Sequence, residues 1–254
     1  MSWDIGLPRV DVPQGDQPKH CTIVLPYYEN PRFLDGQLTR FEQFPPELSA
    51  HIDLIVCDDA SQRHQAEDVI RRHSGKIALG TGYRLFRNTG LDIAWNWIGA
   101  RNRGAHEAWP ESWLLMTDMD HVLPQSTAEA LVYGKHDPGT VYAFERLEHS
   151  GERIHPHSAS FFMTREMFWK IGGYDERFAG HYGSDGQYRK RLRATAPLVI
   201  SSDRLIRYER HGDSSTTAYA RKTPEDNAAI ARIAKEIEGT PPLVLSFPYV
   251  EVPL

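Results

Sequence analysis

The chemistry in this chain begins at Asp118, Met119 and Asp120. Residues i and i+2 face the same way at the end of a strand. Two carboxylates so placed can hold a hard divalent cation that keeps open positions for phosphate oxygens, and such an ion neutralises a diphosphate leaving group. A solvated acidic loop is the plainer alternative. The apolar run Trp113 to Thr117 before the pair and His121 to Pro124 after it favour the metal reading.

Further polar clusters stand at comparable places. Pro26, Tyr27 and Glu29 follow the apolar run Cys21 to Leu25. Asp58 and Asp59 follow Asp53 to Cys57. A carboxylate there can accept the ring N–H of uracil or guanine; the alternative is an Asx turn or a helix cap. Asn88 and Gly90 open a loop ahead of Arg101. Gly90 permits close backbone approach. Arg101 has the geometry to meet a phosphate, or it is a surface arginine on an amphipathic helix. Asp185 falls in the first turn of an expected helix, where the dipole favours its ionised form. It can be a general base for an acceptor hydroxyl, or pair with Arg189 at i+4, or both. His211 can complete a metal site as a neutral imidazole, or be one exposed histidine among twelve. His155 and His157 read as structural or acceptor-side groups. The basic run Arg189 to Arg193 reads as a solvated helix face.

The elements that must position these groups alternate. Strands are expected over 21–25, 53–57, 83–86, 113–117, 141–144, 160–163 and 205–208. Helices are expected over 32–44, 64–73, 93–108, 126–134, 185–194 and from Thr223 to Gly239. Ser126 and Glu129 have capping-box spacing, and Thr164 caps a short helix ending at Gly172 and Gly173. The first four strand starts lie about 30 residues apart, the spacing of βαβ units, which predicts a mostly parallel central sheet with helices on both faces. Ligands of such sheets sit at the carboxyl ends of the strands. Residues 1–19 read as an N-terminal arm and 20–240 as one domain. Within it, 20–124 form a ligand-binding half that carries the strand-end clusters, and 125–240 a more irregular second half. Residues 241–254 read as an extended tail over the surface.

Composition narrows the classes. The chain has 254 residues, 40% of them apolar and 25% charged, which excludes a mostly disordered chain. The net charge of −5 disfavours a general nucleic-acid binder. No apolar run is long enough to span a bilayer, and the polar start is no secretory signal. Cys21 and Cys57 read as buried free thiols of a reducing compartment, and a cytoplasmic location is expected.

In this order the motifs resemble the GT-A glycosyltransferases of the family-2 type. They are Thr22 to Glu29, Leu54 to Ser61, Asn88 to Gly90 with Gly99 to Asn102, Thr117 to Asp120, and Gly172 to Phe178 with Gly183 to Asp185. The later half is similar to the galactosyltransferase and polypeptide N-acetylgalactosaminyltransferase segments. The resemblance implies a GT-A fold and inverting transfer from a nucleotide-diphospho-sugar, UDP-sugar favoured, to a carbohydrate or other hydroxyl-bearing acceptor, with Mn²⁺ or Mg²⁺. It places Pro26, Tyr27 and Glu29 by the nucleoside and Asp59, with Asp58, on the base. It makes Asp118 and Asp120 the metal-binding pair, His211 a further ligand and Asp185 the catalytic base. Ser184 departs from the pattern, standing where an acidic residue is usual. Competing readings are a non-catalytic nucleotide-sugar or glycan-binding module and a transferase acting on a modified nucleic-acid base. A sugar-1-phosphate nucleotidyltransferase fits worse, because no Gly-rich phosphate loop follows the first strand.

Overall fold

The computed structural model describes residues 6–76, 80, 82–90, 96–148, 150–181, 183–208 and 224–254, with backbone alone for 202–208 and 224. In chain order the elements begin with β1 (Arg9–Val10), β2 (Cys21–Tyr27), α1 (Pro31–Phe41), α2 (Pro46–Ser49), β3 (Ile52–Asp58), α3 (Ala66–His73) and β4 (Tyr83–Asn88). Next come α4 (Trp97–Glu107), β5 (Trp113–Met116), β6 (His121–Val122), α5 (Gln125–Tyr133), β7 (Val141–Leu147), β8 (Arg153–Ile154), β9 (Phe161–Thr164) and α6 (Arg165–Lys170). A 3₁₀ turn (Glu176–Phe178), α7 (Asp185–Thr195), β10 (Leu198–Tyr208), α8 (Pro224–Glu236) and β11 (Tyr249–Val252) complete it.

The strands form one sheet ordered β1-β10-β7-β9-β5-β2-β3-β4-β11, with β6 on β10 and β8 on β7. β5, β2, β3 and β4 run parallel. β9 is antiparallel to both β5 and β7. Side chains of β2 and β3 alternate between two buried clusters. Ile23, Leu25, Leu54 and Val56 join α1, α3 and α5 on one face. Val24, Ile55 and Cys57 join α4, α6 and α7 on the other. Burial on both faces is why these strands read as unbroken apolar runs. Helix α4 lies close on β2 because Gly104 has no side chain: a Cβ there would stand 2.3 Å from Val24. The mostly parallel sheet flanked by helices is thus as expected.

Local expectations fared unevenly. Thr164 caps α6, its hydroxyl accepting from Met167 N at 3.0 Å. Both cysteines are free and buried. The capping box at Ser126 did not form: the α5 cap is Pro124, and Glu129 takes the Gln125 amide at 2.8 Å instead. Strand β10 starts at Leu198, not 205; its apolar pattern is interrupted by polar residues where the register shifts between Ser201 and Leu205. The arm is not wholly irregular, because β1 pairs with β10. The tail ends in β11, an edge strand antiparallel to β4. The expected helix start at Ile93 lies outside the described residues, and α4 opens at Trp97 with Asn96 capping Gly99 N at 3.0 Å.

Candidate functional site

The strand-end clusters meet along the carboxyl edge of β2, β3, β4 and β5, but not all of their groups face a ligand. The Glu29 carboxylate accepts from Gln62 N (2.5 Å), Arg63 N (2.9 Å) and His64 N (2.9 Å), closing the loop after β3. Partial burial raises its pKa, but those three amides more than offset it and leave it low. Tyr27 is buried and its hydroxyl donates to the His64 carbonyl. Asp58 accepts from Ser61 N (2.9 Å) and Ala66 N (3.0 Å), so it shapes the turn into α3. These three groups hold the loop, a role the sequence reading named for Asp58 alone. Pro26 stays half-buried in β2, opposite Cys57.

Asp59 differs from its neighbour. Its Oδ2 accepts from Asn96 N at 2.6 Å, while its buried Oδ1 meets no donor. Burial pushes its pKa to about 7, with the Asn96 amide and the Asn88 side chain working against the rise and Asp58 adding to it. Nearby, the buried Nδ2 of Asn96 has no partner, while the Asn88 side chain lies against Asp59 and Tyr249. The Oδ1 atoms of Asn88 and Asn96 accept from Gly90 N (3.2 Å) and Gly99 N (3.0 Å), which assigns each amide nitrogen to the other branch. Tyr249 pairs with Asn88 across β11 and β4. Gly90 lies against the tail: a Cβ there would lie 2.5 Å from Pro248.

Arg101 overturns both expectations made for it. Neither a surface residue nor open to a phosphate, it is wholly buried and ion-paired to Asp118. It also donates to Ala159 O at 2.5 Å and Tyr174 Oη at 3.1 Å, and lies 4.7 Å over the Trp97 ring. Asp118 in turn stands with its other oxygen 3.3 Å from His157 Nε2. His157 Nδ1 lies 2.9 Å from Ser160 Oγ, and its ring packs against His121 at 4.3 Å between centroids. Asp120 faces His121 Nδ1 at 2.7 Å.

Asp118, His121 and His157 each bring a ligand atom within 4.8 Å of the others. Burial, then the charges of His121, Arg101, Arg146 and Arg189, push the His157 pKa well down, so the ring is neutral and its lone pair available. A carboxylate and imidazole set suits a divalent first-row ion. The donor set therefore fits a metal, though the described residues bring His121 and His157 to Asp118 where the sequence suggested Asp120 and His211. His211 lies outside the described residues. The cue for His121 was its place directly after Asp120; His157 comes from the β8–β9 loop and carried no local cue.

Asp185 opens α7 and is ion-paired with Arg189, the i+4 partner foreseen for it. Arg189 also donates to Ser158 O at 3.2 Å. The basic run is therefore not simply solvated: Arg189 is held in the site and Arg191 donates to Gly173 O at 2.5 Å. Ser184 is buried with its hydroxyl unpartnered. The segment 157–160 thus joins two carboxylates. Its Ala159 carbonyl is held by the arginine of Asp118, its Ser158 carbonyl by the arginine of Asp185.

No protein-family model and no curated protein matches the chain. Solved structures do. A mannosyltransferase from Pyrobaculum calidifontis, PcManGT, in complex with GDP-Man and Mn²⁺, superposes with a TM-score of 0.61 at 14% identity, over 92% of this chain and 74% of that one. S. aureus TarS (1–349) gives 0.60 at 15% identity, over 87% and 66%. GalNAc-T7 with UDP, GalNAc and Mn²⁺ gives 0.63 at 14%, over 87% and 48%, so the chain spans about half of that structure. The fold is GT-A.

Proposed function

We propose that the protein is a divalent-metal-dependent, inverting glycosyltransferase that uses a UDP-sugar. The observation that supports this reading is that the arginines paired with Asp118 and Asp185 donate to adjacent carbonyls, those of Ala159 and Ser158, so that both carboxylates stand beside one short segment. The similarity to structures solved with Mn²⁺ and GDP-Man or UDP supports it.

In this reading Asp118 and Asp120 hold Mn²⁺ or Mg²⁺, with His211 as a further ligand and the imidazoles of His121 and His157 lining the place. A bound ion supplies positive charge for the diphosphate leaving group. Asp185 accepts the proton of the acceptor hydroxyl as its oxygen bonds to the anomeric carbon. The bond from that carbon to the diphosphate oxygen breaks on the opposite face, so the centre inverts. Arg189 pairs with the Asp185 carboxylate and orients it. The acceptor is a carbohydrate or another hydroxyl compound.

The UDP preference rests on the base-side groups. Asn96 offers an unpartnered donor beside the Asp59 carboxylate, with the Asn88 side chain against the same carboxylate. Uracil presents two carbonyls flanking one N–H, a set that a carboxylate between two amide nitrogens matches. Guanine replaces one of those carbonyls with an amino donor, which an Asn nitrogen cannot meet. A thermal-shift screen of UDP, GDP, CMP and dTDP with Mn²⁺, Mg²⁺ or EDTA tests the whole reading. UDP with metal at about 100 times its Kd is expected to stabilise by roughly 2.7 kcal/mol, a rise on the order of 5–10 °C. No rise with any nucleotide would defeat it. No described helix is long and apolar enough to cross a membrane.

A further inference from the structure

The buried stripe of α1 is Phe33, Leu34, Gln37, Leu38 and Phe41. Four members are apolar and one is not. A buried amide in such a stripe is costly unless it is hydrogen-bonded. Gln37, 2% exposed, resolves this across a gap of over eighty residues: its Nε2 donates to Met119 O at 3.0 Å and to His121 O at 2.8 Å. Those two carbonyls belong to the turn that carries Asp118 and Asp120, closed on itself by His121 N donating to Asp118 O at 3.0 Å.

Met119 and Leu123 pack in the core beside α1, but their contacts are apolar and leave these two carbonyls to Gln37. A cavity of about 230 Å³ lies there, lined by Arg32, Phe33, Gly36, Arg40, Met119 and Val122 among others. Space beside a loop lets it relax once its anchor is cut, because a void offers no partner atoms to resist the shift. A carboxylate pair displaced by a fraction of an ångström loses cation affinity, since metal sites depend on groups that orient the ligands.

We propose that Gln37 is a positioning residue that sets the geometry of the 118–121 turn, so that cation affinity at Asp118 and Asp120 depends on a helix side chain that never touches the ion. This rests on the metal-dependent reading above. The test is a Mn²⁺ titration of the full chain followed by electron paramagnetic resonance of free Mn²⁺, with melting in EDTA recorded in parallel. Gln37→Met keeps length and burial and removes both donors. Leu34→Ala, on the same buried stripe, costs stability without touching the turn and serves as the control. Gln37→Met is expected to raise the Mn²⁺ Kd at least tenfold, while Leu34→Ala lowers Tm and leaves that Kd within twofold of wild type. Should Gln37→Met not fold, Gln37→Asn, one methylene too short to reach the carbonyls, takes its place with the same expectation. Equal Mn²⁺ affinity in wild type and the Gln37 variant overturns the inference alone, as does equal weakening by Leu34→Ala. A wild-type protein that binds no Mn²⁺ overturns the metal reading beneath it.

Discussion

Arg101 and Asp118 form an ion pair between unlike environments: the guanidinium has no exposed surface, while the carboxylate keeps 35% of its own. Burial alone would lower the arginine pKa, but Asp118 and Tyr174 reverse that, and the cation stays fixed. The pair anchors a strand-end carboxylate from below and leaves its outer side open. A positive charge beneath Asp118 also limits how much negative charge the turn presents, so a bound cation faces a tuned site rather than a bare acidic cluster.

Arg101→Met tests the anchor. The variant keeps much of the buried volume but strands Asp118, the Ala159 carbonyl and the Tyr174 hydroxyl. Losing one partner of a buried pair costs about 3–5 kcal/mol, and the exposure of Asp118 argues for the lower end or below it. A fall in Tm on the order of 5–10 °C is expected. Melting in EDTA measures it; an unchanged Tm would show that the pair does not anchor the site.

Part of this site was legible in the sequence. Asp118, Asp120 and Asp59 sit where apolar runs stop, and strand ends are where such sheets place ligands. Asp185 with Arg189 followed from helical spacing. Arg101 was not legible, because a charged residue among glycines and alanines reads as surface until the tertiary fold closes over it. Asp58 took the turn-and-cap role that stood as its alternative, whereas the loop contacts of Glu29 were not foreseen, because a carboxylate that ties a loop to backbone amides has the same sequence signature as one that reads a ligand. Gln37 and His157 act at separations no periodicity reports. The tail concealed its pairing because four prolines mask the short strand at its end.

Asp185→Asn separates binding from chemistry. The amide is nearly isosteric and cannot take a proton. Donor binding, read as the UDP-and-Mn²⁺ thermal shift, is expected to persist. Transfer should fall by roughly 10²–10⁴, the usual worth of a positioned general base. Wild-type turnover in this variant would remove Asp185 from the mechanism.

Asp120→Ala removes one carboxylate of the proposed metal pair and leaves the Arg101 anchor in place. The metal-dependent part of the UDP shift is expected to vanish, with the shift in EDTA unaltered. Equal nucleotide affinity with and without Mn²⁺, in wild type and variant alike, would count against the pair as ligands.

Asp59 gives the fold a pH dependence with a definite sign. Its pKa is raised from 3.8 to about 7 by burial. The folded state therefore binds more protons than the unfolded one across that window, and stability falls as pH rises through it. The contribution is present below pH 4 and lost by about pH 7, a few kcal/mol at most. Asp59→Asn removes the titrating group, so denaturant midpoints should change less between pH 4.5 and 7.5 than in wild type. Parallel profiles would show that Asp59 is ionised throughout.

Base choice is open to a single-atom test at Asn96. Its Oδ1 caps α4 by accepting from Gly99 N, and its Nδ2 is the unpartnered donor. Asparagine and aspartate are about equally good caps, so Asn96→Asp keeps the helix start and turns the unpartnered donor into a charged acceptor. If that atom meets a uracil carbonyl, two acceptors now face each other and UDP affinity should drop about 10- to 100-fold, the range set by leaving a buried polar group unpaired. Cytosine carries an amino donor where uracil carries O4, so CMP should lose less than UMP or gain. Titrations of UMP and CMP against both proteins read the difference directly. If both nucleotides weaken equally, the cause is the added charge beside Asp59, and Asn96 does not read the base. If neither weakens, the base binds elsewhere and the uracil preference loses its support.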